Sequence, residues 1–301
     1  MTVTQVTDKV FLLDTHALGN PGTVAVYVLK GTKVAMVDCG YASSYEVILQ
    51  ELSEIGISPS EVRYLIPTHV HMDHAGGTGH LLKHMPNAEV IAHERAVPHL
   101  VDPTRLIQSV TSIFGEKLVQ SYGQPLPIQQ QKITAVGQEM HLDLGGLTLT
   151  AMHSPGHAPH QVSVLVEEEK LLLSADAVGI VYPNIPAMIP TTPPPSLDPP
   201  KLTETISRLS QLDSRRLLVP HYGVRDDVVN VLETTKNKTA AWLSKVRELR
   251  KNGVSLDEMV EQFQREVVSE SGLKAEDFPR YARLSIRITL MGMLQYFEKH
   301  P

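Results

Sequence analysis

Cysteine is almost missing from this chain: Cys39 stands alone among 301 residues. One thiol cannot build an internal disulfide framework, so the core must hold the fold, and the composition suits a reducing compartment. Also missing is any apolar run approaching the roughly 20 residues that a membrane-spanning helix needs. The amino terminus, Met1 to Asp8, has no basic stretch followed by an apolar one, so export is not expected and the cytoplasm is the expected location. On that reading the sequon Asn237-Lys238-Thr239 means little. Positive charge is scarce too. The formal net charge is -6, and no basic footprint exists beyond short mixed runs such as Lys245 to Lys251, which speaks against nucleic acid as a partner. What remains is a chain of 301 residues, 42% hydrophobic, able to bury one large core or a core with a small appendage. A small-molecule substrate is the expected partner, with a homodimer open.

Against this background one segment stands out. Thr68-His69-Val70-His71-Met72-Asp73-His74-Ala75-Gly76-Gly77 packs three histidines and an aspartate into six residues directly after an apolar run. Val62 to Pro67 reads as a short buried strand, and side chains two apart at its end point the same way, so His69 and His71 can grip one metal ion. Asp73 is placed to cap a helix running from His74 to about His84, which would turn Asp73 and His74 toward a second ion. Gly76 and Gly77 weaken a helix start, and close approach of backbone to a packed site is the compensating reason.

Alternation and turn signals predict strands at Val10 to Leu13, Val24 to Leu29, Val34 to Val37 and Glu89 to Ala92, and a helix from about Ser44 to Ile55. A segment of mixed helical character, about 93–131, follows as an insertion. A second run of strands comes next: Ile133 to Val136, Glu139 to Leu142, Leu147 to Met152, Val162 to Val166 and Leu171 to Leu173. Residues 182–200 carry eight prolines, from Pro183 to Pro200, and are not expected to be regular structure. They read either as a rim over a site or as a stiff surface connection. Leu202 to Leu212 reads as an amphipathic helix feeding a strand at Leu217 to Val219. Beyond Val229 the pattern is helical, with helices expected at Val229 to about Lys251, Ser255 to Val267 and Pro279 to Glu298. The chain therefore divides into residues 1–229 and a helical extension, 230–301, packed on them. The apolar stripe Leu284, Ile288, Met291 and Phe297 fits packing against the larger unit, or a specificity or dimer-forming appendage.

The His-x-His-x-Asp-His run resembles the signature of the metallo-β-lactamase superfamily. Later segments resemble its other motifs. His157, in Ser154-Pro155-Gly156-His157, is similar to the second motif. Asp176 follows the apolar run Leu171 to Ala175 as the family's bridging aspartate does, and His221, in Val219-Pro220-His221-Tyr222-Gly223, matches the last ligand. The resemblance covers about Val10 to Val229 and implies an α/β fold, the αββα sandwich, with ligands gathered along one edge. It further implies that His69, His71 and His157 hold one ion, that Asp73, His74 and His221 hold the other, and that Asp176 bridges them. Asp38, in Asp38-Cys39-Gly40, corresponds to the family's Asp-x-Gly and would hydrogen-bond to a ligand loop.

Imidazole and carboxylate ligands without thiolate suit two divalent ions, zinc first, with iron or manganese as alternatives. Two ions about 3.5–4 Å apart can share a water and lower its pKa toward about 7, giving a hydroxide nucleophile. Asp73 is the candidate catalytic residue, passing a proton to the leaving group. Tyr182 and Tyr222 are candidate oxyanion donors, and His153 and His160 bracket the second motif. By that resemblance Asp176 is the feature of the thioesterase, lactonase and phosphodiesterase branches, and the expectation is a glyoxalase II-like or lactonase-like hydrolase for a small ester, lactone or thioester. The other readings are a phosphodiesterase, a persulfide dioxygenase-like oxidoreductase with one iron, and a silent metal-stabilised binding protein. Ala158-Pro159 and Ala175 depart from the family's usual residues, changing loop path rather than ligands.

Overall fold

The computed structural model describes residues 3–301. Seven strands form one sheet in chain order: β1 (Thr4–Gln5), β2 (Val10–Asp14), β3 (Ala25–Lys30), β4 (Val34–Val37), β5 (Val62–Ile66), β6 (Glu89–His93) and β7 (Ile133–Val136). The first four are an antiparallel meander, and β4 to β7 run parallel. Parallel neighbours need crossovers, which helices supply. They are α1 (Tyr45–Glu54), then α2 (Met72–Ala75) with α3 (Thr78–His84), then α4 (Val97–Val101), α5 (Thr104–Phe114) and α6 (Glu116–Tyr122).

The second sheet comprises β8 (Glu139–Asp143), β9 (Thr148–His153), β10 (Val162–Val166), β11 (Leu171–Leu173), β12 (Arg216–Val219) and β13 (Gly223–Arg225). Only β11 and β12 pair in parallel, and α7 (Pro199–Leu209) crosses between them. Three helices complete the chain: α8 (Val228–Lys251), α9 (Leu256–Ser271) and α10 (Arg280–Lys299).

Period-two alternation builds the layers. Val10, Leu12, Tyr27, Leu29, Ala35 and Val37 meet Leu149, Ala151, Val162, Val164 and Leu173 in a core between the sheets. The opposite faces are covered by helices. Val26, Val28 and Met36 pack on Ile48 and Leu52 of α1 and Leu81 of α3. Leu172, Leu217 and Val219 pack on Leu202, Ile206 and Leu209 of α7 and Val231 of α8. The result is the expected αββα sandwich. A fourth apolar cluster joins Trp242, Phe263, Ile286, Leu290 and Met293 of the last three helices to Ile180, Ile185 and Ile189 of the segment before α7. A capping box starts α9, with Ser255 and Glu258 exchanging hydrogen bonds, and Gly272 closes that helix at φ 70.

Four local expectations are corrected. The helix expected from His74 to His84 is two helices, because Gly77 passes so near the loop after β4 that a Cβ on it would fall 2.2 Å from Cys39 O. Asp73 is not the cap. His71 holds the N-cap position of α2, with extended backbone, and Asp73 lies in its first turn. The proline-rich stretch is irregular only as far as Asp198: Pro199 and Pro200 occupy the first turn of α7, where the missing N–H groups cost nothing, and the Asp198 side chain accepts from Lys201 N. That helix ends at Leu209 rather than Leu212. Strands β1 and β13 have two and three residues, too short for the pattern to reveal.

Candidate metal centre

Strand direction explains why distant histidines meet. The segments carrying His69 to His74, His157, Asp176 and His221 follow the carboxyl ends of β5, β9, β11 and β12, so all open at the same edge of the sandwich. There the seven residues converge. His69 Nε2, His71 Nδ1 and His157 Nε2 form a triangle with sides of 2.9, 2.9 and 3.2 Å. His74 Nε2, His221 Nε2 and Asp73 Oδ2 form a second, with sides of 3.2, 3.4 and 3.7 Å. Between them Asp176 Oδ2 lies 3.4 to 4.0 Å from His157, His74, His221 and His69. Ligands on a tetrahedral zinc, each about 2.0–2.1 Å from the ion, lie roughly 3.3 Å apart, so these spacings are those of groups that could hold a metal.

The outer hydrogen bonds fix the tautomers. His157 Nδ1 donates to Thr191 O at 3.0 Å, and His221 Nδ1 donates to Thr23 O at 3.1 Å. His74 Nδ1 donates to Asp38 Oδ2 at 2.9 Å. Asp38 Oδ1 takes protons from Thr68 N and Thr68 Oγ1, which leaves that hydroxyl to accept from His69 Nδ1 at 3.1 Å. A neutral imidazole has one N–H, so each of these four rings turns a bare Nε2 inward. Lone pairs facing one another at about 3 Å repel unless a cation stands among them. Asp176 adds to this: its side chain is 4% exposed, yet Oδ1 has no partner among the described residues. A buried carboxylate oxygen without a donor is costly. The residues therefore fit a divalent ion at each cluster.

The protons report the same demand. Burial pushes His69, His71 and His157 below the ordinary imidazole value, and neighbouring rings push the first two further. Burial also opposes charge on His74 and His221, but nearby carboxylates win and raise both, with Asp38 and Asp176 leading at His74 and Asp176 at His221. Asp176 is buried against its charge, and His74, His221 and His157 hold it well below the usual carboxylate range.

The clusters form the floor of a cleft of about 300 Å³. Its walls are largely apolar: Leu106, Val110, Ile113 and Phe114 of α5 on one side, Leu284 and Ile288 of α10 on the other. Pro193 to Pro195 and Leu18 complete the rim, and among the described residues Arg105 is the only lysine or arginine of the lining. Of the tyrosines expected near a substrate, Tyr182 lines the cleft with its hydroxyl 2.8 Å from Ser285 Oγ, whereas Tyr222 lies outside, packed on the inter-sheet core. His160 lines the cleft, but His153 stacks on His93 with ring centroids 4.0 Å apart and its Nε2 donates to Pro159 O. Tyr41 and Tyr122, stacked at 4.7 Å beside Asp73, are cleft residues that the sequence did not reveal. Their signal, an aromatic directly after Asp38-Cys39-Gly40 and another ending α6, has meaning only once the two loops meet.

The profile of the metallo-beta-lactamase superfamily matches residues 19–221. The metallo-beta-lactamase fold-containing protein ST1585 of Sulfurisphaera tokodaii is 28% identical over 208 residues, 68% of this chain and 74% of that protein. Its crystal structure superimposes with a TM-score of 0.62 at 26% identity, covering 73% of this chain and 81% of that one. The N-acyl homoserine lactonase AttM of Azorhizobium caulinodans is 30% identical over 135 residues, 44% of this chain, and the match spans about half, 47%, of that lactonase. The family protein TTHA1429 of Thermus thermophilus shares the fold along nearly the whole length, with a TM-score of 0.68 at 23% identity over 98% of this chain and 95% of that one. The chain belongs to the metallo-beta-lactamase superfamily.

Proposed function

We propose that this chain is a metal-dependent hydrolase for an ester, lactone or thioester whose acyl portion is apolar. One observation carries the reading: two facing ligand clusters, their rings oriented by fixed outer hydrogen bonds so that Nε2 of His74, His157 and His221 turns inward, at the floor of an apolar cleft. His69, His71 and His157 would hold one divalent ion, and Asp73, His74 and His221 the other, with Asp176 reaching both. Zinc is the first expectation, with iron or manganese as alternatives. When bound, such ions lower the pKa of a water and polarise a substrate oxygen.

The protein's own groups do the rest. Asp38, Thr23 and Thr191 keep the imidazoles oriented, so little reorganisation accompanies reaction. Both clustered carboxylates line the cleft, but Asp73 is 22% exposed and Asp176 only 4%. Asp73 is therefore the one assigned to carry a proton to the leaving group. The apolar walls exclude water and grip the acyl chain. Residues 1–229 are assigned as the unit bearing the site, and residues 230–301 as an extension that closes the cleft through α10.

The largely apolar walls favour an apolar acyl substrate over a polar phosphodiester. The name of AttM, an N-acyl homoserine lactonase, agrees with the class proposed. The test is a screen of lactone, thioester and phosphodiester substrates with acyl chains of increasing length. Turnover of acyl substrates that a chelator abolishes and added zinc restores is expected. Oxygen uptake on a persulfide without hydrolysis would overturn the proposal in favour of the one-iron oxidoreductase.

A further inference from the structure

The last helix reaches the ligands by an indirect route. Thr289 of α10 donates its hydroxyl proton to Pro190 O, and Thr192 Oγ1 donates to Thr289 O at 3.1 Å. One helical residue thus holds the chain on both sides of Thr191, through the Pro190 carbonyl and the Thr192 hydroxyl. Gly292, one turn on, lets the helix sit directly on this strap: a Cβ there would fall 1.8 Å from Thr192 O and 2.7 Å from Pro193 C. Thr192 and Thr289 are buried, so neither hydroxyl has water as an alternative partner.

Thr191, held in the middle, touches two of the seven convergent residues. Its carbonyl accepts the proton of His157 Nδ1 at 3.0 Å, and its hydroxyl points to Asp176 Oδ2 at 3.4 Å. The first contact sets which nitrogen of His157 faces inward. The second approaches the oxygen that lies among four imidazoles.

We propose that α10 is a positioning element for the metal centre, with Thr289 and Gly292 clamping residues 190–192 so that Thr191 holds the His157 ring and the Asp176 carboxylate in register. The inference deepens the hydrolase reading and rests on it for the identity of the bound group, while the clamp itself is a matter of hydrogen bonds within the chain. The helical extension then does more than wall the cleft. Ser285, which bonds Tyr182, shares the same face but does not reach a ligand.

The test compares the intact protein with Thr289→Val, Thr289→Ser and Gly292→Ala, and with Phe263→Leu as a control that loosens the buried cluster of α8, α9 and α10 without touching the strap. Zinc affinity is measured by competition with a chromogenic chelator, and the His157 Nδ1–H signal by nitrogen-edited NMR on the metal-free protein. A loss of about ten-fold or more in zinc affinity is expected for Thr289→Val and Gly292→Ala, as for other partners that orient a ligand. Thr289→Ser should recover it, and Phe263→Leu should lower the melting temperature without weakening zinc. The His157 signal should shift or broaden in Thr289→Val and stay in place in Thr289→Ser. Should Gly292→Ala not fold, the valine and serine pair decides the matter alone. If the intact protein binds no zinc, the hydrolase reading falls, and the His157 signal still judges the clamp. Unchanged zinc affinity and an unchanged signal in Thr289→Val would overturn it.

Discussion

The floor and the walls of the cleft are built by different physics. On the floor, His69, His74, His157 and His221 each have a second partner on the outer ring nitrogen, and the Asp38 carboxylate alone serves Thr68 and His74. Directional bonds of this kind over-determine position. The α5 wall is held differently: Leu106, Ile107, Val110, Ile113 and Phe114 are all half-buried, and no residue of that helix is fully buried. Apolar contact is non-directional and tolerates substitution by volume. The contrast is between a fixed chemical apparatus and an adaptable enclosure above it.

The largest effect should come from the floor. In Asp38→Asn one carboxylate oxygen becomes an NH₂ group, which must face either Thr68 N–H or the His74 Nδ1–H. A donor then opposes a donor, and the easiest escape moves the His74 proton to Nε2, into the metal cluster. Zinc affinity is expected to fall by about 10–100-fold, as measured by chelator competition, with the fold retained by circular dichroism. An affinity equal to that of the unaltered protein would show that the outer bonds do not govern the floor.

A smaller and selective effect belongs to the walls. Ile113→Ala together with Phe114→Ala should raise KM for long-chain acyl substrates by about ten-fold, from roughly 0.8 kcal/mol per methylene left unburied, and leave the shortest substrates and zinc affinity unchanged. Equal losses for short and long substrates would mean that α5 acts on the floor and not on the acyl chain.

Much of this molecule was legible in its sequence, and the division follows the same contrast. Strands such as Val162–Val166 and Leu171–Leu173 declare themselves because a buried sheet demands runs of apolar residues. The ligand loops are legible because few structures need three histidines and an aspartate in six residues. The break between α2 and α3 was hidden because its cause, the approach of Gly77 to Cys39 O, is a long-range contact. Of the walls, Pro193 to Pro195 and the Leu284 and Ile288 stripe were open to reading as a rim and a specificity appendage, but the part that α5 plays was hidden for another reason. The spacing of Leu106, Val110, Ile113 and Phe114 is that of any amphipathic helix, and nothing local says that its apolar side overlooks a cleft rather than a core. Thr191 was illegible for the same cause, since its importance lies in what touches it.

The smallest effect concerns stability beyond the site. His93 is buried against His153, and burial first, then that ring, lowers its pKa to about 4. Its folded value lies below its unfolded value of about 6.5, so the unfolded chain binds the proton first. The stabilisation is complete above about pH 6.5 and drains away as pH falls toward 4. His93→Gln should therefore flatten the dependence of melting temperature on pH between about 6.5 and 4, measured on the metal-free protein. A slope identical to that of the unaltered chain would remove His93 from the acid response.

On the proposed reading both ligand clusters hold an ion. Elemental analysis after dialysis against trace zinc tests it directly, on the unaltered chain and on His221→Ala. Two ions per chain, falling to one in the variant, is the predicted result. A single ion in both would contradict it, leaving Asp73, His74 and His221 without the role assigned to them here.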